Sequence, residues 1–162
     1  MADIFSKAKR SEVMSRIRSR GNAATELALA RVLRANGITG WRRQQKLIVE
    51  KLMVDGGRRR GKGHQPSAKN HQLAVRPDFV FLKSHTAIFV DGCFWHGCPR
   101  HGTRPKGNAA FWKKKFAANR DRDRLVNRTL RRAGWRVLRI WEHTLRWATK
   151  NKRNEARLLR RM

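Results

Sequence analysis

Residues 76–101, RPDFVFLKSHTAIFVDGCFWHGCPRH, decide how this chain folds. Two nearly continuous apolar runs, Arg76 to Leu82 and Thr86 to Asp91, flank Lys83 and Ser84, which suit a tight reversal between strands. Runs this hydrophobic belong in the interior of a sheet covered on both faces. One acid sits inside the first run, Asp78, and another closes the second, Asp91. The loop that follows, Gly92 to Gly107, is rich in Gly, Pro, Cys and His.

Outward from this hairpin the pattern alternates between helix and strand. Downstream, Asn108 can cap a long helix to Ala133, with Trp112, Phe116, Val126 and Leu130 at helical spacing and Gly134 ending it. Trp135 to Trp141 is a further strand, and 150–161 a terminal basic helix. Upstream, 11–19 reads as a short basic helix. Asn22 opens a second one through Ala35, with Leu29, Val32 and Leu33 on one face and Asn36 and Gly37 as its stop. Residues 39–54 are extended, enough for one or two strands. Residues 55–70, rich in Gly, Lys and Arg without apolar period, read as a surface loop. Helices, then strands, then helix, strand and helix make an α/β sandwich the economical fold, in one domain spanning 1–162.

Charge limits the partner. Forty Lys and Arg oppose eleven Asp and Glu among 162 residues, a formal charge of +29. That excess exceeds what solubility requires and points to a polyanion. No stretch reaches the roughly 20 apolar residues of a membrane span, so nucleic acid outranks a membrane. Two cysteines and an N-terminus without an apolar signal core place the protein in a reducing cytoplasm. A structural nucleic-acid binder shares this composition, so the acids decide whether the chain is an enzyme.

A carboxylate inside an apolar strand is costly unless paired or metal-bound. Asp78 and Asp91, if they converge at one sheet edge, offer what Mg²⁺ needs while it keeps waters and takes a phosphate oxygen. The bland alternatives are an ion pair of Asp78 with Arg76 and a turn-capping Asp91. Glu26, near a helix start, either reaches the same metal through water or simply complements the helix dipole. His96 has the chemistry of a general base for an attacking water. It stands in for the strand-borne Lys of many restriction-type nucleases, since Gly92 and Cys93 follow Asp91; otherwise it is a zinc ligand or a plain loop histidine. Cys93, Cys98 and His101 crowd into a metal-ligand loop suited to structural Zn²⁺. His143 is the expected fourth ligand, with His64, His71 and His85 as competitors and a Cys93–Cys98 disulfide disfavoured by compartment. Phe94 and Trp95 either wedge between base steps of DNA or pack in the core.

Taken together, the segments 1–14, the helix with Thr25 and Glu26, RPDF at 76–79, DGCFWHGCP at 91–99, FWKKKFAANRDRD at 111–123 and GWRVLRIWEH at 134–143 resemble the very short patch repair (Vsr) mismatch endonuclease family. The resemblance implies a restriction-endonuclease-like fold, a mixed central sheet flanked by helices. It also implies Mg²⁺-dependent nicking of one DNA strand beside a T:G mismatch left by deaminated 5-methylcytosine. By position, Asp78 is then the principal magnesium ligand, His96 the general base and Glu26 an auxiliary acid. Met14, Phe94 and Trp95 are the residues inserted into the duplex, Cys93 is the first zinc ligand, and His143 stands where well-known members carry cysteine. The implied setting is a prokaryotic, nucleoid-associated monomer, with mismatch-repair proteins as candidate partners. Departures are Val90 and Asp91, where those members have Thr and His, a shorter spacing between the cysteines, and a basic insertion at 44–74. These keep two rivals open: a same-fold nuclease acting on matched or otherwise damaged DNA, and a non-catalytic zinc-stabilised basic DNA-binding module.

Overall fold

Thr86 to Asp91 forms the predicted second strand of the hairpin, pairing antiparallel with Phe79–Phe81 through Phe79↔Ile88, Val80↔Ala87 and Phe81↔Thr86. The computed structural model describes residues 12, 25–50, 72–103, 105 and 107–162. In chain order these give α1 (Glu26–Ala35), β1 (Trp41–Arg43), β2 (Leu47–Glu50), β3 (Gln72–Val75), β4 (Phe79–Phe81), β5 (Thr86–Asp91), α2 (Ala109–Arg132), β6 (Arg136–Trp141), α3 (Glu142–Ala148) and α4 (Lys152–Leu159). The architecture is mixed α/β, with one sheet ordered β1-β4-β5-β6 and a separate pair β2-β3. The Arg136 amide donates to the His85 carbonyl at 2.8 Å, so β5 and β6 start side by side as parallel neighbours, whereas β1 and β4 run antiparallel.

The chain divides into two compact units. One comprises 40–89 and 121–138. Its core is Leu47, Val49, Val75, Val80, Ala87, Leu130 and Val137, with Val126 and Trp135 packed against it. Strand β2 shows why a half-buried strand forms there: Leu47 and Val49 are buried while Ile48 and Glu50 face out, a period of two. The ends of the 44–74 stretch thus close on one another as an antiparallel ladder, Leu47↔Val75 to Glu50↔Gln72.

The other unit comprises the described residues of 1–39, 90–120 and 139–162. Helix α1 buries Leu29, Val32 and Leu33 on one face and packs against α3, which packs in turn against α4. It stops where expected: Asn36 is the C-cap and Gly37 takes φ +65°, a left-handed conformation that costs glycine little. Thr25, rather than Asn22, precedes its first turn. Among the described residues no helix is long and apolar enough to cross a membrane.

Several expectations need correction. Asp78 stands at a bend just before β4, half-buried, and not inside a strand, because the three positions between Val75 and Phe79 leave the ladder. The reversal takes four residues, Leu82 to His85, with His85 at φ +44° and its amide bonded to the Leu82 carbonyl. Strand β3 and helix α3 were unforeseen, the first hidden beside a polar loop, the second too short to show a period. The helix expected at 11–19, apart from helical Glu12, and the loop expected at 55–70 lie outside the described residues.

Candidate functional site

Every side chain of the most chemically dense region comes from the unit that holds 90–120 and 139–162. Strand β5 ends at Asp91, which is only 5% exposed. Burying a carboxylate this deeply demands partners, and β6 supplies one. Arg139 Nε donates to Asp91 Oδ2 and Arg139 Nη2 to Asp91 Oδ1, both at 2.7 Å, a bidentate pair. His96 Nδ1 lies 3.7 Å from Asp91 Oδ1. The carboxylate therefore stands between a guanidinium and an imidazole. Arg139 was missed from the sequence, although it carried the same signal as the acids: a charge inside the apolar run WRVLRIW.

Between Asp91 and His96 the chain turns tightly. The His96 amide donates to the Gly92 carbonyl, the Cys98 amide to the Cys93 carbonyl, and Gly97 takes φ +61°. The Cys93 amide also donates to Glu142 Oε2 at 3.2 Å, and Glu142 accepts from Arg146. Asn119 Nδ2 on α2 donates to the Trp95 carbonyl at 2.7 Å, pinning the loop from its other side. These loop-bracing groups, Glu142 and Asn119, are polar residues on helices whose role no spacing announced.

Cys93, Cys98, His101 and His143 bring four ligand atoms within 4.8 Å of one another. Both cysteines are free thiols, so the disulfide alternative is not realised. Ring nitrogens and sulfurs sit at 3.3 Å (Cys93 to His143 Nδ1), 3.6 Å (Cys98 to His143 Nδ1) and 3.9 Å (Cys98 to His101 Nδ1). Tetrahedral bonds of about 2.3 Å to sulfur and about 2.0–2.1 Å to nitrogen would separate such atoms by about 3.6 Å. The donor types and these separations suit a tetrahedral metal site. Burial pushes the Cys93 thiol up, with the neighbouring Cys98 adding to it against a backbone hydrogen bond at His143 that lowers it. His143 is pushed down by burial, then by His101 and Arg100, which keeps its imidazole neutral and able to ligate. His143, unlike the competitor His85, belongs to this cluster. His85 sits at the β4–β5 turn, its ring 5.2 Å from that of Trp135. His64 and His71 lie outside the described residues.

One close approach locks the loop. A Cβ on Gly102 would lie 2.5 Å from the Cys98 carbonyl oxygen, and the Gly102 amide donates to that same oxygen at 2.8 Å. Only glycine fits there, and its fit brings His101 back beside Cys98.

Phe94 and Trp95 are both half-buried and meet edge to face, with ring centroids 5.1 Å apart. Phe94 also touches Trp112 at 5.1 Å and Phe116 at 5.6 Å, both on α2. The pair thus rests on an aromatic platform that extends to Phe111, which is 53% exposed. Glu26 is buried at the start of α1. Asp78 belongs to the other unit, where its Oδ1 accepts from Gln44 Nε2 at 3.2 Å and its carbonyl from the Gln44 amide. Met14 lies outside the described residues.

A family model described as DNA mismatch endonuclease Vsr matches residues 2–58 and 59–101. The type II nicking enzyme V.NaeI of Lentzea aerocolonigenes is 55% identical over 71 residues, 44% of this chain and 43% of that enzyme, so the match spans under half of the relative's length. The type II nicking enzyme V.NmeAIP of Neisseria meningitidis serogroup A is 32% identical over 149 residues, 90% of this chain and 86% of its own. The DNA mismatch endonuclease Vsr of Escherichia coli (strain K12) is 33% identical over 147 residues, covering 90% and 77%.

Proposed function

We propose that this chain, which belongs to the Vsr family of DNA mismatch endonucleases, nicks one strand of duplex DNA beside a T:G mismatch by Mg²⁺-dependent hydrolysis of a phosphodiester bond. The observation that carries this reading is the linked set His96, Asp91 and Arg139. A carboxylate 3.7 Å from Nδ1 favours the tautomer that carries its proton there and leaves the base role to Nε2.

The roles then divide as follows. His96 Nε2 takes the proton of the attacking water. Asp91 holds the imidazole, and Arg139 holds Asp91 in place. Asp78, half-buried at its bend with oxygen ligands to offer, is assigned the Mg²⁺. Asp91 is assigned a share of it, since each of its oxygens accepts one bond from Arg139 and keeps a second lone pair. When bound there, the ion supplies Lewis-acid polarisation of the scissile phosphate and stabilises the departing oxygen. Glu26 is assigned an auxiliary acidic role. The four-donor cluster holds a structural Zn²⁺, since its donor set is that of closed structural sites and leaves no ligand position for substrate.

The aromatic pair Phe94 and Trp95, with Met14, enters the duplex at the mismatch, where unstacking is cheapest. Phe94 rests on Trp112 and Phe116, and Trp95 on Trp112. The restriction-endonuclease-like fold and the single Vsr-like domain over 1–162 are part of the same proposal, as are a monomeric state in a prokaryotic cytoplasm, association with the nucleoid and recruitment by mismatch-repair proteins.

The test uses one duplex in T:G and T:A versions with each strand labelled in turn, incubated with and without Mg²⁺. Nicking of one strand of the T:G duplex only, abolished in Asp78→Ala protein that still binds DNA, is the expected outcome. His96→Ala should lose about 10²–10⁴-fold in rate. Equal cutting of T:A would favour the nuclease of matched DNA. Binding without any cutting under either condition would leave only the zinc-stabilised binding module.

A further inference from the structure

Beside the four-donor cluster, two of whose donors, Cys98 and His143, line it, a cavity of about 430 Å³ lies between α3, α4 and the Cys98–Arg100 turn. Its size falls within the roughly 300–1,000 Å³ typical of ligand pockets. Asn154, Leu158 and Arg161 recur at i, i+4 and i+7 along α4 and its C-terminal turn, with Arg157 one turn beyond Asn154, so all four look the same way. Arg100 faces them from the loop. Among the described residues no Asp or Glu lines the space. Three guanidiniums around one concavity repel cations and favour an anion.

The walls are not only cationic. Trp141 and Trp147 line the same cavity, and Trp147 is 41% exposed although large apolar side chains normally seek burial. Its ring is fixed rather than loose, packed on His143 at 4.9 Å and His101 at 5.8 Å. A rigid, partly exposed indole beside arginines is the chemistry that holds a nucleotide: the base stacks on the ring while the phosphate bonds to guanidinium. A paired base in duplex DNA is already stacked on both faces and cannot use such a surface.

We propose that this cavity is a nucleotide-binding site that takes one unpaired nucleotide of DNA, its base against Trp147 and its phosphate between Arg157 and Arg161. The proposal rests on DNA being the partner, but not on which groups cut it. Its consequence is that DNA with an unpaired end or a displaced nucleotide binds more tightly than blunt, fully paired DNA of equal length.

The probe is a 5′-phosphorylated tetrathymidylate carrying one 4-thiothymidine, offered to the full chain in Mg²⁺-free buffer at 0.2 M salt. Photocrosslinking followed by peptide mapping should place the adduct within residues 98–100 or 141–161. Affinity should fall about fivefold or more in Trp147→Ala and remain in Trp147→Phe. Arg157→Gln with Arg161→Gln should weaken binding and lower the slope of log K against log salt by about 0.7 per arginine. Bound metal is measured in each variant, so that loss of the neighbouring cluster is not mistaken for loss of the pocket; the arginine pair leaves the donors untouched and serves if Trp147→Ala fails to fold. Crosslinks confined to other segments would overturn the proposal. So would an abasic tetranucleotide that binds as tightly as the thymidylate, since that would mean phosphate contact alone. Nicking of the T:G duplex is assayed separately, so failure here and failure of the catalytic reading give different results.

Discussion

Replacing Arg139 by methionine keeps most of the apolar stem and removes the guanidinium, leaving the Asp91 carboxylate 5% exposed without its bidentate donor. Breaking a fully buried pair from one side costs about 3–5 kcal/mol, because the surviving charge is stranded. The Arg139 side chain keeps 20% exposure and His96 stands 3.7 Å from the same carboxylate. Both moderate the loss, to about 2–4 kcal/mol. For a chain of this length that corresponds to a fall in Tm of roughly 5–12 °C. The assay is thermal or urea unfolding of the wild type, Arg139→Met, Asp91→Asn and the double variant. If the stranded charge is the cause, the double variant is more stable than Arg139→Met alone, by about 1 kcal/mol or more. Two results would refute the reasoning: a single-variant cost below about 0.5 kcal/mol, as for an exposed surface pair, or a double variant that sums the two losses. Nicking by Arg139→Met, compared at saturating DNA, should fall in rate more than in affinity, since the residue acts through Asp91 on His96.

Elemental analysis should find one tightly held metal ion per chain, lost in Cys98→Ser and His143→Ala. Stripping it with a chelator should lower Tm by about 8 °C or more, on the basis of stabilisation of about 4 kcal/mol by a ligand at a thousandfold excess over its Kd; an unchanged Tm and zero metal would refute the cluster's role. Gly102→Ala forces the Cys98 carbonyl to move from 2.5 Å, so it should cost about 1–3 kcal/mol and reduce bound metal, whereas Ala at exposed Gly40, which has open space around it, should leave metal content intact. The Glu155 carboxyl is held below its ordinary value of 4.5 by Asn36 Nδ2 at 2.7 Å and then by Lys152 at 3.0 Å. A group lowered on folding contributes stability that is present above the unfolded value and lost as pH falls through the folded one. Urea midpoints measured from pH 6 to pH 3 should therefore decline more steeply for wild type than for Glu155→Gln, and identical profiles would count against this contact.

The hairpin was legible because its two runs were apolar enough to demand a sheet interior, and the antiparallel register of Phe79 to Ile88 follows from that. Helix α1 was legible at its end, where Asn36 and Gly37 state a stop that no packing needs to supply. Asp78 was misplaced by a few residues, since Pro77 and the bend before β4 break the ladder in a way that a count of apolar residues does not register. The metal cluster was readable in three parts from local crowding and in its fourth from strand order, which put His143 near the loop. Asn119 was not read, because it matters only through a partner distant in sequence and has no pattern of its own, whereas Arg139 stood as a charge inside an apolar run whose partner, Asp91, only the fold reveals. Phe94 and Trp95 had two readings, insertion into DNA or packing inside the protein. Both rings meet Trp112, and Phe94 also meets Phe116, so the protein itself supports the pair.

The four donors of the cluster are unequally distributed along the chain: Cys93, Cys98 and His101 sit in one turn, and His143 arrives after both a long helix and the last strand. A ribosome making roughly 5–20 residues per second therefore displays a three-donor half-site for some seconds before the fourth donor exists. With three donors an ion would be held weakly and exchange; with His143 it would gain a closed coordination shell and join two distant stretches of backbone. A metal held by all four donors would thus report that His143 has reached the Cys93–His101 loop.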